Sequence, residues 1–311
     1  MIRIGVDLGG TGIKTGAVDE KGNILSKVSR PTRPQRHYDE VIADIAGTAR
    51  DAAREAGCDW DGIGGVGVGI PGVEDASTGI VPLCANLYWR DVPLRGRLGE
   101  LLGKEVHVGN DATVAALAEH VAGASRGTEN SVLVTLGTGV GTGVILNGKP
   151  FSGSHGVATE LGHCVIRIDG ELCTCGNRGC WERYASATAL IREAKNRLLS
   201  EDGAVYRAVG GDPEALNAKI VLDCAKSGDP GALALFKEYA YWIALGLANI
   251  VSTYDPEIIL LGGGVSAAGD FLLRAIQSPY EKAIFFKAMP YAPIGLAALG
   301  NDAGIIGAAM L

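Results

Sequence analysis

The stretch Val6-Asp7-Leu8-Gly9-Gly10-Thr11-Gly12 decides the fold, because it recurs in kind 128 positions later as Val134-Thr135-Leu136-Gly137-Thr138-Gly139-Val140. Each copy ends an apolar run that reads as a strand, Ile2–Leu8 and Val132–Leu136, and each leads into a second one, Ile13–Val18 and Val144–Leu146. Strand, glycine-rich turn and strand make a hairpin. Two such hairpins predict one device used twice, in two α/β lobes facing a cleft.

Working outward, Asp19-Glu20-Lys21-Gly22 turns the chain into a third strand, Ile24–Val28. Asp39–Ala56 has apolar residues at 41, 42, 45, 46, 49, 52, 53 and 56, which is helical spacing, and Gly57 stops it. Ile63–Ile70 and Glu105–Val108 read as strands, after which Asn110-Asp111 open an alanine-rich helix to about Ala122. The back half reads as helical over 181–199, 213–227 and 230–253, until the strand Ile258–Leu261 runs into Gly262-Gly263-Gly264. No Pro/Ser-rich linker separates the lobes, so the chain is expected to cross between them more than once. Residues 1–115 are assigned to a smaller lobe, completed by a C-terminal segment at about 298–311. Residues 116–297 are assigned to a larger lobe holding a metal site.

Composition narrows the function. With 47% hydrophobic and 20% charged residues, the 311-residue chain has material for a sizeable core. The net charge of −7, from 28 Lys+Arg against 35 Asp+Glu, argues against bulk attraction to nucleic acid or an anionic membrane. No apolar signal core opens the chain, and its longest apolar stretch, Tyr239 to Ala248, is half a membrane span. A soluble, cytoplasmic protein is expected. Glycine is abundant, 46 residues in all, without the every-third spacing of collagen.

Backbone N–H groups in a glycine-rich hairpin turn can cradle phosphate oxygens. On that ground Gly9, Gly10, Thr11, Gly137, Thr138 and Gly139 are candidate nucleotide contacts, joined by Gly262, Gly263 and Gly264 after a third strand. Lys14 can add positive charge, and Asp7, at a strand end, is placed to hold Mg²⁺ or its waters. There is no P-loop, and the formal G-x-G-x-x-G at Gly67 to Gly72 is followed by Val73-Glu74-Asp75 rather than an evident helix start. Asn110-Asp111 sit at a strand-to-helix junction. There they are either an ordinary N-cap or a carboxylate poised as general base, and nothing local decides between the two. Glu160 and His163 lie three residues apart and would share one face of a helical turn. His163 with Cys173, Cys175 and Cys180 makes a His/Cys₃ set of the closed, structural zinc type. A metal-held His163 would aim its second nitrogen at a substrate hydroxyl, and Glu182, two residues past Cys180, would be fixed with it. Cys58, Cys84, Cys164 and Cys224 are expected to be packing residues.

Taken together, Asp7-Leu8-Gly9-Gly10-Thr11, Asn110-Asp111-Ala112, Leu136 through Gly141, Glu160-Leu161-Gly162-His163, Cys173 through Glu182 and Leu261 through Gly264 resemble the ROK family of bacterial sugar kinases, in particular its zinc-containing ATP-dependent glucokinases. The resemblance implies an actin-like, ribonuclease-H-like two-lobed fold with the active site in the cleft. It implies Asp111 as catalytic base, with Asn110, Glu160, His163 and Glu182 holding sugar hydroxyls. It further implies structural Zn²⁺, Mg²⁺ with ATP, glucose or a related hexose as substrate, and a homodimer or homotetramer. Thr159 departs from the small residue, commonly Gly or Ala, that the family has before Glu160. Kinases for N-acetylmannosamine, N-acetylglucosamine, fructose or allose, polyphosphate as donor, and a non-catalytic sugar sensor stay open as alternatives. The family's DNA-binding repressors carry a helix-turn-helix ahead of the sugar site. Here the first strand begins at Ile2 and the net charge is negative, so a repressor is not expected.

Overall fold

A computed structural model describes residues 1–200 and 203–311. In chain order its elements are β1 (Ile2–Leu8), β2 (Gly12–Val18), β3 (Ile24–Pro31), α1 (Tyr38–Glu55), β4 (Ile63–Ile70), β5 (Val81–Cys84), β6 (Trp89–Val92), α2 (Leu94–Leu102), β7 (Val106–Asn110) and α3 (Asp111–Ala122). There follow β8 (Ser131–Leu136), β9 (Val140–Leu146), β10 (Lys149–Pro150), α4 (Glu182–Ala185), α5 (Ala187–Arg197), α6 (Ala204–Ala208), α7 (Ala218–Lys226) and α8 (Pro230–Tyr254). The chain closes with β11 (Ile258–Gly262), α9 (Asp270–Ala283), β12 (Ile294–Leu296) and α10 (Ala303–Ala309).

Two five-stranded sheets repeat one plan. The first runs β3-β2-β1-β4-β7 and the second β10-β9-β8-β11-β12, so in each sheet the third strand in chain order is at one edge and the last at the other. The hairpin predicted twice from sequence is the middle of both sheets. This is a two-lobed α/β architecture. Two compact units result, one of Met1–Ser131, Gly143–Thr159 and Ala298–Leu311, the other of Val132–Thr142 and Glu160–Ala297.

In the first unit β1 pairs antiparallel with β2 and parallel with β4, which pairs parallel with β7. Its core is aliphatic: Ile4, Val6 and Leu8 of β1, Val66, Val68 and Ile70 of β4, and Ile42, Ile45 and Ala49 of α1 are all buried. The C-terminal helix α10 packs close on this sheet. A Cβ at Gly67 would stand 1.7 Å from the Ala308 carbonyl oxygen, so only a residue without a side chain fits there. The Gly67 to Gly72 run is therefore a packing device for α10 at its first glycine.

Two helices predicted as continuous are broken. The stretch read as 181–199 divides at Ser186, whose backbone is extended and whose hydroxyl accepts from Ala189 N to cap α5. The stretch read as 213–227 opens with a separate 3₁₀ turn, Pro213–Ala215, and α7 starts only after Asn217, which caps it by accepting from Ile220 N. In both, a capping side chain competes for backbone donors and interrupts an apolar period that runs on through it. Among the described residues no helix is long and apolar enough to cross a membrane.

Candidate active site and metal centre

Strand register assembles the first unit's share. Asp7 of β1 is opposite Gly69 of β4, Gly69 is opposite Gly109 of β7, and Asn110 follows opposite Ile70. Asp7, the Gly69–Ile70 strand end and Asn110-Asp111 thus share the carboxyl edge of a parallel segment, where open α/β sheets place their ligands. Two strand spacings put Asp7 roughly 10 Å from Gly109 along that edge. Lys14, the cross-strand partner of Asp7, holds its Nζ 3.4 Å from Asp7 Oδ2. The turn between them is tight, with Gly9 N donating to Gly12 O at 2.9 Å. Thr11 stands exposed at its tip.

Asn110 does cap α3: Oδ1 accepts from Ala112 N at 3.0 Å and Thr113 N at 3.3 Å, while Nδ2 donates to Gly72 O at 3.3 Å. Asp111 is the first residue of the helix, with Oδ1 accepting from its neighbour Ala112 N at 2.7 Å. Its charge is felt by Cys84, whose thiol is pushed up to about 11, mainly by burial and partly by Asp111. The ordinary N-cap and the poised carboxylate are thus divided between two consecutive residues. A negative side chain at a helix N-terminus lies at the favourable end of the helix dipole.

The second unit brings together most of its own candidates. The Gly137-Thr138-Gly139 turn closes with Gly137 N donating to Gly139 O at 3.0 Å. Ala187 N donates to Gly137 O and Thr188 Oγ1 to Thr138 O, so the start of α5 braces the turn. Gly262 ends β11, and Gly263, at φ 78°, lies so close to the end of β8 that a Cβ would stand 2.6 Å from Leu136 O. The third glycine run is thereby set beside the second, with Gly264 starting a 3₁₀ turn. Glu182 Oε2 accepts from Val140 N at 3.0 Å, at the far side of the same turn.

Glu160 precedes a single 3₁₀ turn, Leu161–His163, rather than an α-helical one. The turn is closed by His163 N donating to Glu160 O at 3.0 Å. Thr142 Oγ1 accepts from Leu161 N at 3.2 Å, pinning this turn to β9.

The ligating atoms of His163, Cys173, Cys175 and Cys180 all lie within 4.8 Å of one another. Cys173 Sγ is 3.6 Å from His163 Nδ1, and Cys175 Sγ is 3.6 Å from Cys180 Sγ. A tetrahedral ion with bonds of about 2.3 Å needs ligand separations of roughly 3.8 Å, so the donor set fits a zinc-sized metal. Nδ1 faces the sulfurs, which leaves Nε2 as the outward nitrogen. Burial, then hydrogen bonds that its S–H donates toward Cys175 and Cys173, push the Cys180 thiol up to about 12, while the Asn177 backbone N–H lowers Cys175. Metal uptake must therefore expel protons from this cluster. Of the cysteines read as packing residues, Cys84 is buried and Cys58 and Cys224 are half-buried, but Cys164 is exposed. It follows His163 at the end of the 3₁₀ turn, where the chain turns extended and out of the core.

Sequence reading overlooked Glu119 and the contacts that seat the C-terminal segment, although that segment is itself expected to complete the smaller lobe. Glu119 looks like any polar position late in a helix, and the C-terminal run is too rich in small residues for its period to be read. No local pattern marks either.

A family model described as the ROK family matches residues 3–311. The glucokinase of Streptomyces coelicolor is 40% identical over 316 residues, covering 100% of this chain and 97% of the relative. The crystal structure of a ROK family glucokinase from Streptomyces griseus in complex with glucose and AMPPNP superposes with a TM-score of 0.84 at 37% identity, covering 100% of this chain and 98% of that one. The ROK hexokinase of Thermus thermophilus does so with a TM-score of 0.85 at 35% identity, covering 100% and 97%. Matched from end to end in sequence and in fold, this chain belongs to the ROK family.

Proposed function

We propose that the chain is an ATP-dependent glucokinase that transfers the γ-phosphoryl group of ATP to the 6-hydroxyl of glucose. The observation that carries this reading is the placement of Asp111 at the head of α3, on the same sheet edge as Asp7 and the first glycine turn. End-to-end similarity to glucokinases, one of them holding glucose and AMPPNP, supports the substrates.

In this reading Asp111 accepts the proton of the 6-hydroxyl as its oxygen attacks the γ-phosphorus in line. Asn110 positions the sugar through Nδ2, since its Oδ1 is committed to the helix cap. Glu160, His163 through Nε2, and Glu182 through Oε1 take further hydroxyls, with Glu182 Oε2 engaged by the turn backbone. The backbone amides at Gly9, Gly10, Thr11, Gly137, Thr138, Gly139 and Gly262 to Gly264, with Lys14, offset charge on the phosphates. ATP would bring Mg²⁺ as a source of positive charge, and Asp7 is the carboxylate that would hold it or its waters. Zn²⁺ on His163, Cys173, Cys175 and Cys180 would be structural, fixing the His163 ring and the segment leading to Glu182.

A coupled assay for sugar 6-phosphate, with Mg-ATP and a hexose panel, tests the reading. Glucose should be turned over, and Asp111→Asn should lose at least ~10²-fold in kcat while still binding glucose. Near-normal kcat in that variant would remove Asp111 as base. Turnover confined to an N-acetylated hexose, or to polyphosphate as donor, would reassign the substrate.

A further inference from the structure

Glu119 is a carboxylate 1% exposed to solvent, near the end of α3. A buried carboxylate needs strong donors, and this one has three backbone amides. Oε2 accepts from Ala124 N at 2.8 Å, which closes off its own helix. Oε1 accepts from Ala298 N at 2.9 Å and Leu299 N at 2.8 Å, 179 and 180 positions further along the chain.

Those two amides belong to the segment that leads into α10, where the chain has just re-entered the first unit after Ala297. α10 in turn touches both sides of the proposed chemistry. Its Ile306 and Ala303 are buried against Ala118 of α3, the helix headed by Asp111. Its Gly304 lies against Asp7, where a Cβ would stand 2.7 Å from the carboxyl carbon. Helix α10 thus packs against Asp7 on one side and, about two turns along from Asp111, against α3 on the other, and the Glu119 carboxylate fixes where α10 starts.

We infer that Glu119 is a positioning residue for phosphoryl transfer, setting α10 on α3 and with it the offset between Asp111 and Asp7. The inference rests on the glucokinase reading. A shift of the order of 1 Å between reacting groups can cost about 10²-fold in rate, whereas the sugar ligands proposed in the second unit do not depend on α10.

Glu119→Gln tests this, because an amide NH₂ then faces backbone N–H groups that need an acceptor. In folded variant protein, kcat with glucose should fall at least ~10-fold while KM for glucose stays within about threefold, the pattern of a lost transition-state interaction. Amide exchange at Ala298 and Leu299 should quicken, and Glu119→Asp, which keeps the charge, should recover part of kcat. A variant with a lower Tm but wild-type kcat per folded molecule would make Glu119 purely structural and overturn the inference, as would a rise in KM with kcat unchanged. If the glutamine variant does not fold, the aspartate variant is read against wild type by the same split of kcat and KM. Wild-type protein without turnover on any hexose would instead overturn the kinase reading.

Discussion

Thr159 stands immediately before Glu160 with φ at +73°, a left-handed backbone that a β-branched residue rarely adopts. The segment before it is held by Ala158 N donating to Ser152 O, and the turn after it by Leu161 N donating to Thr142 Oγ1. Pinned on both sides, Thr159 has no freedom to relax, which is the condition under which strain persists in a folded protein. Left-handed backbone costs a side-chain-bearing residue about 1–2 kcal/mol, and glycine escapes that at an entropic cost of about 0.5–1 kcal/mol. Thr159→Gly should therefore melt higher than Thr159→Ala, by about 0.5–1 kcal/mol in thermal unfolding. Both variants lose the threonine side chain, so the comparison isolates the backbone; equal melting temperatures would mean the alanine chain has moved out of the left-handed region. Sequence marked this position through the small residue the family keeps there. The conformation itself is set by contacts on either side and leaves no local trace. Asn110 and Asp111 were better served, since a strand end followed by a helix already confines them to a junction.

At the scale of elements, what was legible is what carries its own period or spacing. The hairpins around Gly9–Gly12 and Gly137–Gly139 follow from apolar runs broken by glycine, and the metal loop follows from Cys173, Cys175 and Cys180 within eight positions. The helix break at Ser186 was not legible from apolar spacing, because Leu190 and Ala194 keep the period going beyond it. That break matters: it turns the start of α5 toward the Gly137–Thr138 turn, which it braces through Ala187 N and Thr188 Oγ1. The metal loop is short of regular structure of its own. Isolated bridges Val165–Cys180 and Leu172–Arg178 and the donor cluster hold it, so its order should depend on the ion. Stripping the metal with a strong chelator should lower Tm and abolish glucose phosphorylation, with recovery on adding Zn²⁺, since a structural site contributes its binding energy to folding. Metal analysis of the protein as isolated checks the identity of the ion. Full activity and an unchanged melt at zero bound metal would show that Cys173, Cys175, Cys180 and His163 need no ion to hold the loop.

For the molecule as a whole, the repeated strand order could be anticipated from two similar turns, and a C-terminal segment at about 298–311 is expected to complete the first lobe, but the contacts that seat that segment could not be read. Complementarity between β1, β4 and α10 involves residues some 240 to 300 positions apart, and nothing in Gly67 or Ala308 alone names the other. The dependence is steric and can be tested at one atom. A methyl group at Gly67 would stand 1.7 Å from the Ala308 carbonyl, far inside contact distance, and the obstacle is backbone, which cannot swing aside as a side chain can. Gly67→Ala must therefore push α10 off the sheet or bend β4, and overpacking of that kind costs typically about 1–3 kcal/mol, occasionally more. Gly62→Ala is the matched control, because a Cβ there meets nothing within 4 Å. The expected outcome is a clear drop in Tm for Gly67→Ala and little change for Gly62→Ala. Any folded Gly67→Ala protein should also turn over glucose more slowly, because the displaced helix is the one whose Gly304 lies against Asp7. If Gly67→Ala melts and turns over like Gly62→Ala, α10 does not sit on the sheet as closely as this packing requires. The path from the C-terminal segment to the sheet edge would then lose its mechanical basis.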